Sequence, residues 1–278
     1  MGRRSALSLL LSSALLVACG ETHVTLLPPL DAHAGGSGTS DAGPSLGADA
    51  SDAGGTASPP VQLIHRYRFD GEGTRVVDSI GAAHGTLQGG ASLDGAGHAT
   101  LDGVDDYVNL PNGLLSGLTD ATLIAWLVWN GGPCWQRVFD FGSTDAGEDA
   151  VGNATSSWFA TPKRCPGAGP ATAFETTNVL GSIDSDEPFP VLQRTSLAVV
   201  IDNTAQELRL YVAGRLLGTG KAAPLALLSD ENDWLGRSQW VQDTYLRGTY
   251  DEFRIYDEAL GTDELALIEA AGPDALAP

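Results

Sequence analysis

The feature that most constrains this fold is a succession of short apolar runs that extends from Val61 to about Gly272. Gly, Asp, Asn and Pro separate the runs, and no long helical period interrupts them before the end. Apolar and polar residues alternate from Leu63 to Phe69, as expected for a half-buried strand. Residues 121–129 and 196–201 are continuously apolar and predict central strands buried on both faces. The pattern is typical of an all-β sandwich made of two packed sheets.

Two local signals refine this prediction. Ala213 and Gly214 separate two short apolar runs and predict a tight hairpin turn, with Gly214 able to adopt a positive φ. Thr262 to Ala271 is the one segment with a helical pattern. Thr262 is its predicted N-cap, and the acidic residues of the first turn favour the positive end of the helix dipole. The domain predicted from residue 61 to residue 272 therefore ends in a short helix.

The first eighteen residues predict a bacterial lipoprotein signal peptide. Arg3 and Arg4 precede an apolar run from Ala6 to Ala18, which is shorter than the ~20 residues that span a bilayer. The run closes with Leu-Val-Ala-Cys, which resembles the lipobox in which the cysteine, here Cys19, is lipidated before cleavage. An ordinary signal peptide with a chance cysteine is the alternative. We expect a lipid-anchored protein of the cell envelope, at the outer membrane or cell surface.

Residues 19–60 consist mainly of Gly, Ala, Ser, Asp, Thr and Pro, with almost no aromatic side chains. Such a segment cannot bury enough apolar surface to offset its conformational entropy. It is predicted to be a disordered tether between the lipid and the domain. Residues 273–278 form a predicted C-terminal tail.

The chain is strongly acidic, with a formal net charge of −20 at pH 7. Nucleic acids, heparin-like polymers and anionic lipid headgroups bind through Lys and Arg, so this charge argues against them as partners. It is compatible with neutral glycans, proteins and divalent cations.

Of the three cysteines, Cys134 and Cys165 remain once Cys19 carries a lipid. An even pair in an oxidising compartment predicts a disulfide. The alternative, free thiols or half of a metal site, lacks neighbouring His or Cys residues in the sequence.

Seven motifs in fixed order carry a family resemblance. They are YRFDGEGTRVVDSIGAAHGTL, ATLDGVDDYVNLP, ATLIAWLVW, RVFDFG, LRLYVAGRLLGTG, WLGRS and GTYDEFRIYDEALGTDELALI. The set resembles the LamG-like jellyroll domains of the concanavalin A-like lectin/glucanase fold across residues 61–271. The resemblance implies a two-sheet jellyroll and a variable loop region at residues 142–190. Two departures stand out: Arg194 to Ser196 replace a Trp-His pair, and Ala213-Gly214 replaces Asp-Gly.

The same fold hosts glycoside hydrolases and polysaccharide lyases, so catalysis has to be considered. Retaining glycosidases need two carboxyl groups ~5.5 Å apart. On this fold they come from a Glu-x-Asp-x-x-Glu run, which the chain lacks. Asp251 and Glu252 are adjacent and would face opposite sides of a strand. We therefore expect no enzymatic activity, with a divergent hydrolase or lyase as the alternative.

Calcium is the cofactor that the resemblance implies. Its expected ligands are Asp70, at the end of the first strand, and Asp251, in the last strand, because these strands should be neighbours. Calcium takes hard oxygen ligands of this kind. Asp102, Asp105 and Asp106 form a second acidic cluster, for which solvated turn residues are the favoured interpretation.

Sugar sites combine an aromatic platform with a few polar groups. Trp126 and Trp129 belong to a predicted core strand, and Trp135 is expected to pack on the disulfide. Trp240 lies in a polar loop with Gln242 and Tyr245, and these three are the predicted ligand-binding residues. The sequence thus predicts a non-catalytic envelope module for a glycan or protein ligand. The alternative is a structural or adhesive protein without a small ligand.

Overall fold

The structure, a computed structural model, describes residues 62–165, 171–177 and 181–276. The predicted signal peptide, Cys19 and the tether lie outside these residues. Within the described residues, no helix has both the length and the apolar character that crossing a bilayer requires.

The described residues form sixteen strands, one short 3-10 helix and one α-helix. In chain order they are β1 (Leu63–Tyr67), β2 (Arg75–Val76), β3 (Gly85–Gln88), β4 (Ser92–Leu93), β5 (Ala99–Asp102), β6 (Tyr107–Leu110), β7 (Ala121–Trp129), β8 (Phe139–Thr144), β9 (Ala154–Arg164), β10 (Ala171–Thr176), β11 (Ser182–Asp184), β12 (Arg194–Asp202), β13 (Glu207–Val212), β14 (Arg215–Lys221), the 3-10 helix (Leu225–Leu227), β15 (Asn232–Leu235), β16 (Arg247–Tyr256) and α1 (Thr262–Ala271).

The strands pair antiparallel in two sheets of eight. The first sheet has the order β14-β13-β12-β7-β16-β5-β4, and β1 also pairs with β16. The second sheet has the order β11-β10-β9-β8-β15-β6-β3-β2. The predicted all-β sandwich with a short C-terminal helix is confirmed.

The main core lies between the two sheets. Its centre is a group of contacting rings, in which Phe139 and Phe141 of β8 lie 6.0 and 6.2 Å from Phe253 of β16. In β7, Leu123 and Leu127 face this core, whereas Ile124 and Trp126 belong to a second apolar cluster under α1. Burial on both faces explains why β7 has no polar alternation.

Helix α1 covers the outer face of the first sheet with Leu265 and Ile268. Its bounds are the predicted ones, but the predicted N-cap is wrong, because Gly261 and not Thr262 caps the helix. The Glu264 carboxylate accepts a hydrogen bond from the Gly261 amide at 2.6 Å, which satisfies the helix start without a hydroxyl cap. Gly272, with φ of 73°, ends the helix.

The hairpin between β13 and β14 turns where the sequence predicts. Ala213 and Gly214 both have positive φ, 49° and 69°. Two left-handed residues in succession fit a type I′ turn, which matches the twist of the flanking strands.

The expectation of a loop region at residues 142–190 is wrong in part, because about half of the segment forms the end of β8 and strands β9 to β11. Its glycines misled the prediction. Gly142 is a strand residue, and a Cβ there would overlap the Ser156 carbonyl of β9. Close approach of two strands, and not a turn, explains the absence of a side chain at this position.

Candidate functional site

The outer face of the second sheet brings together residues from four strands. By register, Asn109 of β6 lies beside Trp234 of β15, then Asp140 of β8, then Phe159 of β9. Their neighbours in sequence, such as Val108, Leu235, Phe139 and Trp158, belong to the core between the sheets. Because side chains alternate along a strand, the first four point away from that core.

A loop of residues 236–245, which we call the cover loop, packs over this face. Its anchor is Asp140, whose exposure is 0%. The Asp140 carboxylate accepts hydrogen bonds from Ser157 Oγ at 2.6 Å and from the Gln239 amide at 3.0 Å. The cover loop is therefore fixed to β8 and β9 through a buried carboxylate.

Arg137 is the cation of this network. Its Nε lies 3.2 Å from Asp140 Oδ2, and its Nη2 donates to Asp243 Oδ2 at 2.6 Å. The guanidinium also stacks 3.8 Å above the ring of Phe159. Burial raises the pKa of Asp140 to about 6, and Arg137 with the hydrogen bonds from Ser157 and Gln239 opposes the rise.

Two amide side chains connect the cover loop to the β8–β9 connection. Gln239 Nε2 donates to the Asn232 carbonyl at 3.0 Å, and Asn232 Nδ2 donates to Gln239 Oε1 at 3.2 Å. Asn232 Oδ1 accepts the Asp149 amide at 2.7 Å. Residues 148–152 and the cover loop thus have defined positions relative to each other.

The predicted disulfide between Cys134 and Cys165 is present. The Cys134 carbonyl accepts a hydrogen bond from Thr244 Oγ1 of the cover loop at 3.4 Å. Trp135 contacts Phe159, with 6.5 Å between ring centroids. The crosslink therefore supports the segment that carries Arg137.

The first pocket on this face, which we call the Trp-Tyr pocket, is a shallow depression that opens to solvent and has a cavity volume of about 30 Å³. Its wall consists of residues 150–152 and of the cover-loop residues Arg237, Ser238, Gln239, Trp240, Val241, Asp243 and Tyr245. Trp240 and Tyr245 thus share one pocket, whereas Gln242 is exposed and is not part of its wall. Contact of these residues with a ligand stays a prediction.

Sequence reasoning missed Arg237, which lies at the bottom of the cover loop. Its guanidinium carbon stacks 3.8 Å above Trp234 and 4.7 Å above Tyr107. Gly236, with φ of 88°, makes the turn that places it there, and a Cβ at Gly236 would overlap Leu101. The available signal was an arginine directly after the apolar strand end Trp-Leu-Gly.

A second pocket, the polar pocket, has a cavity volume of about 360 Å³ and is more open. It is lined by His84, Thr86, Asn109, Leu110, Pro111, Asn112, Glu148 and Asp149. Asn109 Nδ2 donates to Asp149 Oδ1 at 2.9 Å, and Asn112 Nδ2 donates to Glu148 Oε1 at 2.7 Å. Residues 148–152 contribute to both pockets, so the two are adjacent.

The predicted calcium ligands come from strands that do pair, β1 and β16. Asp251 is nearly buried, and its oxygens face cations: Arg194 Nε lies 2.7 Å from Oδ2 and His98 Nε2 lies 3.3 Å from Oδ1. Asp70 is exposed, 3.4 Å from Arg68 Nε. Calcium needs six to eight oxygen ligands, and a carboxylate partnered by basic groups does not fit that donor set.

The second acidic cluster is the one group of three possible metal ligands among the residues that the structure describes. Asp106 Oδ2 accepts the Asp102 amide at 2.9 Å, and its Oδ1 accepts the Gly90 amide. Asp102 Oδ1 accepts the Val104 amide at 2.7 Å. The bonds of Asp102 are those of an exposed turn residue. Asp106 is buried and is not the solvated residue that the sequence interpretation expected.

A family model described as the concanavalin A-like lectin/glucanases superfamily matches residues 102–266, more than half of the chain. The chain belongs to this superfamily. The predicted resemblance is thereby confirmed. No curated protein matches the sequence of this superfamily member.

Solved structures share the superfamily fold at low sequence identity. Domain 4 of AbnA, an extracellular arabinanase of Geobacillus stearothermophilus in complex with arabinotriose, is 23% identical with a TM-score of 0.57. The match covers 74% of this chain and 97% of that domain. A Trypanosoma rangeli sialidase is 14% identical with a TM-score of 0.52, and the match covers 73% of this chain but 31% of the sialidase.

Proposed function

We propose that this protein is a non-catalytic carbohydrate-binding module and that its ligand binds in the Trp-Tyr pocket. The observation that carries the proposal is the combination of Trp240 and Tyr245 with hydrogen-bonding side chains, Ser238 and Asp243, in one open pocket. Aromatic faces cover the apolar face of a sugar ring, while a few fixed polar groups select its hydroxyls.

The polar pocket extends the same surface. Asn109, Asn112 and Glu148 offer amide and carboxylate groups to hydroxyls beyond the first sugar. An oligosaccharide that crosses residues 148–152 would contact both pockets. Domain 4 of the arabinanase, in complex with arabinotriose, makes a short oligosaccharide a reasonable ligand size for this fold.

Binding without catalysis is favoured by the state of the nearby carboxylates. Asp140 has 0% exposure and cannot contact a sugar. Asp243 is held by Arg137 and by Ser238 Oγ, at 2.6 and 2.9 Å. A glycosidase needs one free carboxylic acid and one free carboxylate at the scissile bond.

We further propose that Cys19 carries the lipid that anchors this module in the cell envelope. The support is the lipobox-like sequence Leu16 to Cys19 after a basic head and a short apolar run. Mass spectrometry of the purified mature protein should show an acylated Cys19 as its first residue. An unmodified amino terminus would contradict this proposal.

The binding proposal is tested with Trp240→Ala on a panel of polysaccharides and a glycan array. We expect binding by the native protein and its loss in the variant, with a folded variant whose melting temperature falls by a few degrees at most because Trp240 is only partly buried. The control is Leu216→Ala, which removes an exposed apolar side chain from β14 of the other sheet.

Three outcomes contradict the proposal. Unchanged binding by Trp240→Ala would place the ligand elsewhere. Release of reducing ends or unsaturated sugars would show a hydrolase or lyase. No binding to any glycan would favour the adhesive alternative.

A further inference from the structure

Arg237 is a buried cation without a counter-ion. Its exposure is 6%, and among the described residues no carboxylate lies within ion-pair distance of it. Two other arginines of the described chain, Arg75 and Arg247, also lack an ion pair, but both are exposed to water. Arg237 differs from these two arginines because its side chain is almost completely withdrawn from the water that screens an exposed charge.

The surroundings of Arg237 compensate its charge only in part. Its guanidinium stacks on Trp234 and Tyr107, and such cation–π contacts stabilise a desolvated cation. The rings act on the faces of the guanidinium, and its side chain also hydrogen-bonds to Tyr107, whereas the remaining N–H donors lie in its plane. An unpaired buried charge is strongly unfavourable, so a partner for these donors would be stabilising.

The Trp-Tyr pocket is the route by which that partner can reach Arg237. Arg237 forms part of the pocket wall, next to Trp240 and Tyr245. The other charged residue of the wall, Asp243, forms an ion pair with Arg137. Arg237 is therefore the charged residue of the pocket wall that has no ion-pair partner among the described residues.

We propose that Arg237 binds the carboxylate of an acidic sugar, so that the ligand is a glycan containing uronic or similar acid residues. This inference rests on the proposed function and narrows its ligand class. Guanidinium and carboxylate groups form paired parallel hydrogen bonds, which give both affinity and orientation. In this arrangement Trp240 and Tyr245 contact the sugar ring, and Arg237 selects a sugar that carries a carboxylate.

The test compares acidic polysaccharides with their carboxyl-reduced forms, in which each uronic acid has become the neutral sugar. Polygalacturonate and alginate are the first probes, measured by affinity electrophoresis and titration calorimetry on the purified native chain. We expect the acidic form to bind about tenfold to a hundredfold more tightly, the range of a hydrogen bond to a charged group. Added salt should weaken binding of the acidic form more than binding of the reduced form.

Arg237→Met keeps the length of the side chain and removes its charge, so we expect it to bind both forms with equal affinity. Arg247→Met is the matched control, because it removes an exposed arginine that also lacks an ion pair. Arg237→Lys retains the charge with a single ammonium group and should keep part of the preference. It replaces the first variant if Arg237→Met does not fold.

The outcomes separate this inference from the proposed function. Equal binding of both forms by the native protein, abolished by Trp240→Ala, would overturn the role of Arg237 and leave glycan binding intact. Binding of neither form would overturn this inference, while the panel of glycans would still decide the proposed function. Binding of acidic peptides in preference to glycans would overturn both.

Discussion

The outer faces of the two sheets are covered in different ways. On the first sheet, α1 packs Leu265 and Ile268 against Ile124 and Trp126. On the second sheet, the cover loop is held by charged groups centred on Asp140. Each cover leaves only a small gap, with a cavity volume of about 10 Å³ under the helix and about 30 Å³ at the cover loop. Apolar side chains dominate the first gap, whereas hydrogen-bonding and charged groups line the second. The two covers therefore offer different chemistry to a ligand.

The largest effect on stability is expected when the network that holds the cover loop loses its cation, Arg137. Arg137→Met leaves Asp140 buried without its ion-pair partner and releases Asp243. Removing one partner of a buried ion pair costs about 3–5 kcal/mol, which we expect as a decrease in the free energy of unfolding in urea. Arg247→Met should change that free energy by less than about 0.5 kcal/mol. Similar values for the two variants would show that the network is not what holds the cover loop.

A smaller effect is expected when the apolar cover is weakened. Leu265→Ala removes a side chain that is 4% exposed and leaves a cavity under α1. Leucine truncation in a core costs about 2–5 kcal/mol, and the edge position of α1 favours the lower end. Glycan binding should not change, because the helix lies on the other sheet. Loss of binding in this variant would mean that the two covers are coupled.

The pH dependence of stability should distinguish the covers further. The pKa of Asp140 is raised to about 6 from 3.8, so the folded state binds its proton more tightly than the unfolded state does. The contribution of Asp140 to stability therefore increases as the pH falls from about 6 toward about 4. Asp140→Asn does not titrate, so native protein should gain stability relative to this variant over that interval. Urea unfolding at several pH values measures the gain, and a constant difference between the two proteins would contradict it.

The smallest effect is expected from chelation. Because Arg194 and His98 occupy the oxygens of Asp251, EDTA should leave the melting temperature unchanged. If EDTA lowered the melting temperature by several degrees and added calcium restored it, the protein would bind a calcium ion and this prediction would be wrong.

Sequence reasoning succeeded where the signal was local. Continuous apolar runs identified β7 and β12, and Ala213-Gly214 identified the hairpin, because turn and strand propensities act within a few residues. Trp240 and Tyr245 were noted for the same reason, as aromatic residues in a polar loop, and they line one pocket, while their contact with a ligand stays a prediction. In each case neighbouring residues in the chain carried the information.

The rest of the site depends on contacts between distant residues. Asp140 reads as a turn residue in isolation, and only the register of β8 with β9 and β15 shows that it faces the cover loop. Only the folded structure shows that Arg237 is unusual. Its guanidinium stacks on Trp234, and no carboxylate of the described residues lies within ion-pair distance of it. Gly142 was assigned to a loop because the sequence does not show why a glycine is needed. A glycine that lets two strands approach closely cannot be told from a turn glycine without the neighbouring strand.

The chain enters the sandwich at the first sheet, where the Gln62 carbonyl accepts a hydrogen bond from the Asp257 amide at 3.2 Å, directly after β16. Both pockets lie on the outside of the opposite sheet. A bead or sensor surface coupled to the protein through an added group before Gln62 is therefore attached away from the pockets. Immobilisation at that end should leave large polysaccharides free access, whereas coupling through residues 148–152 should block them.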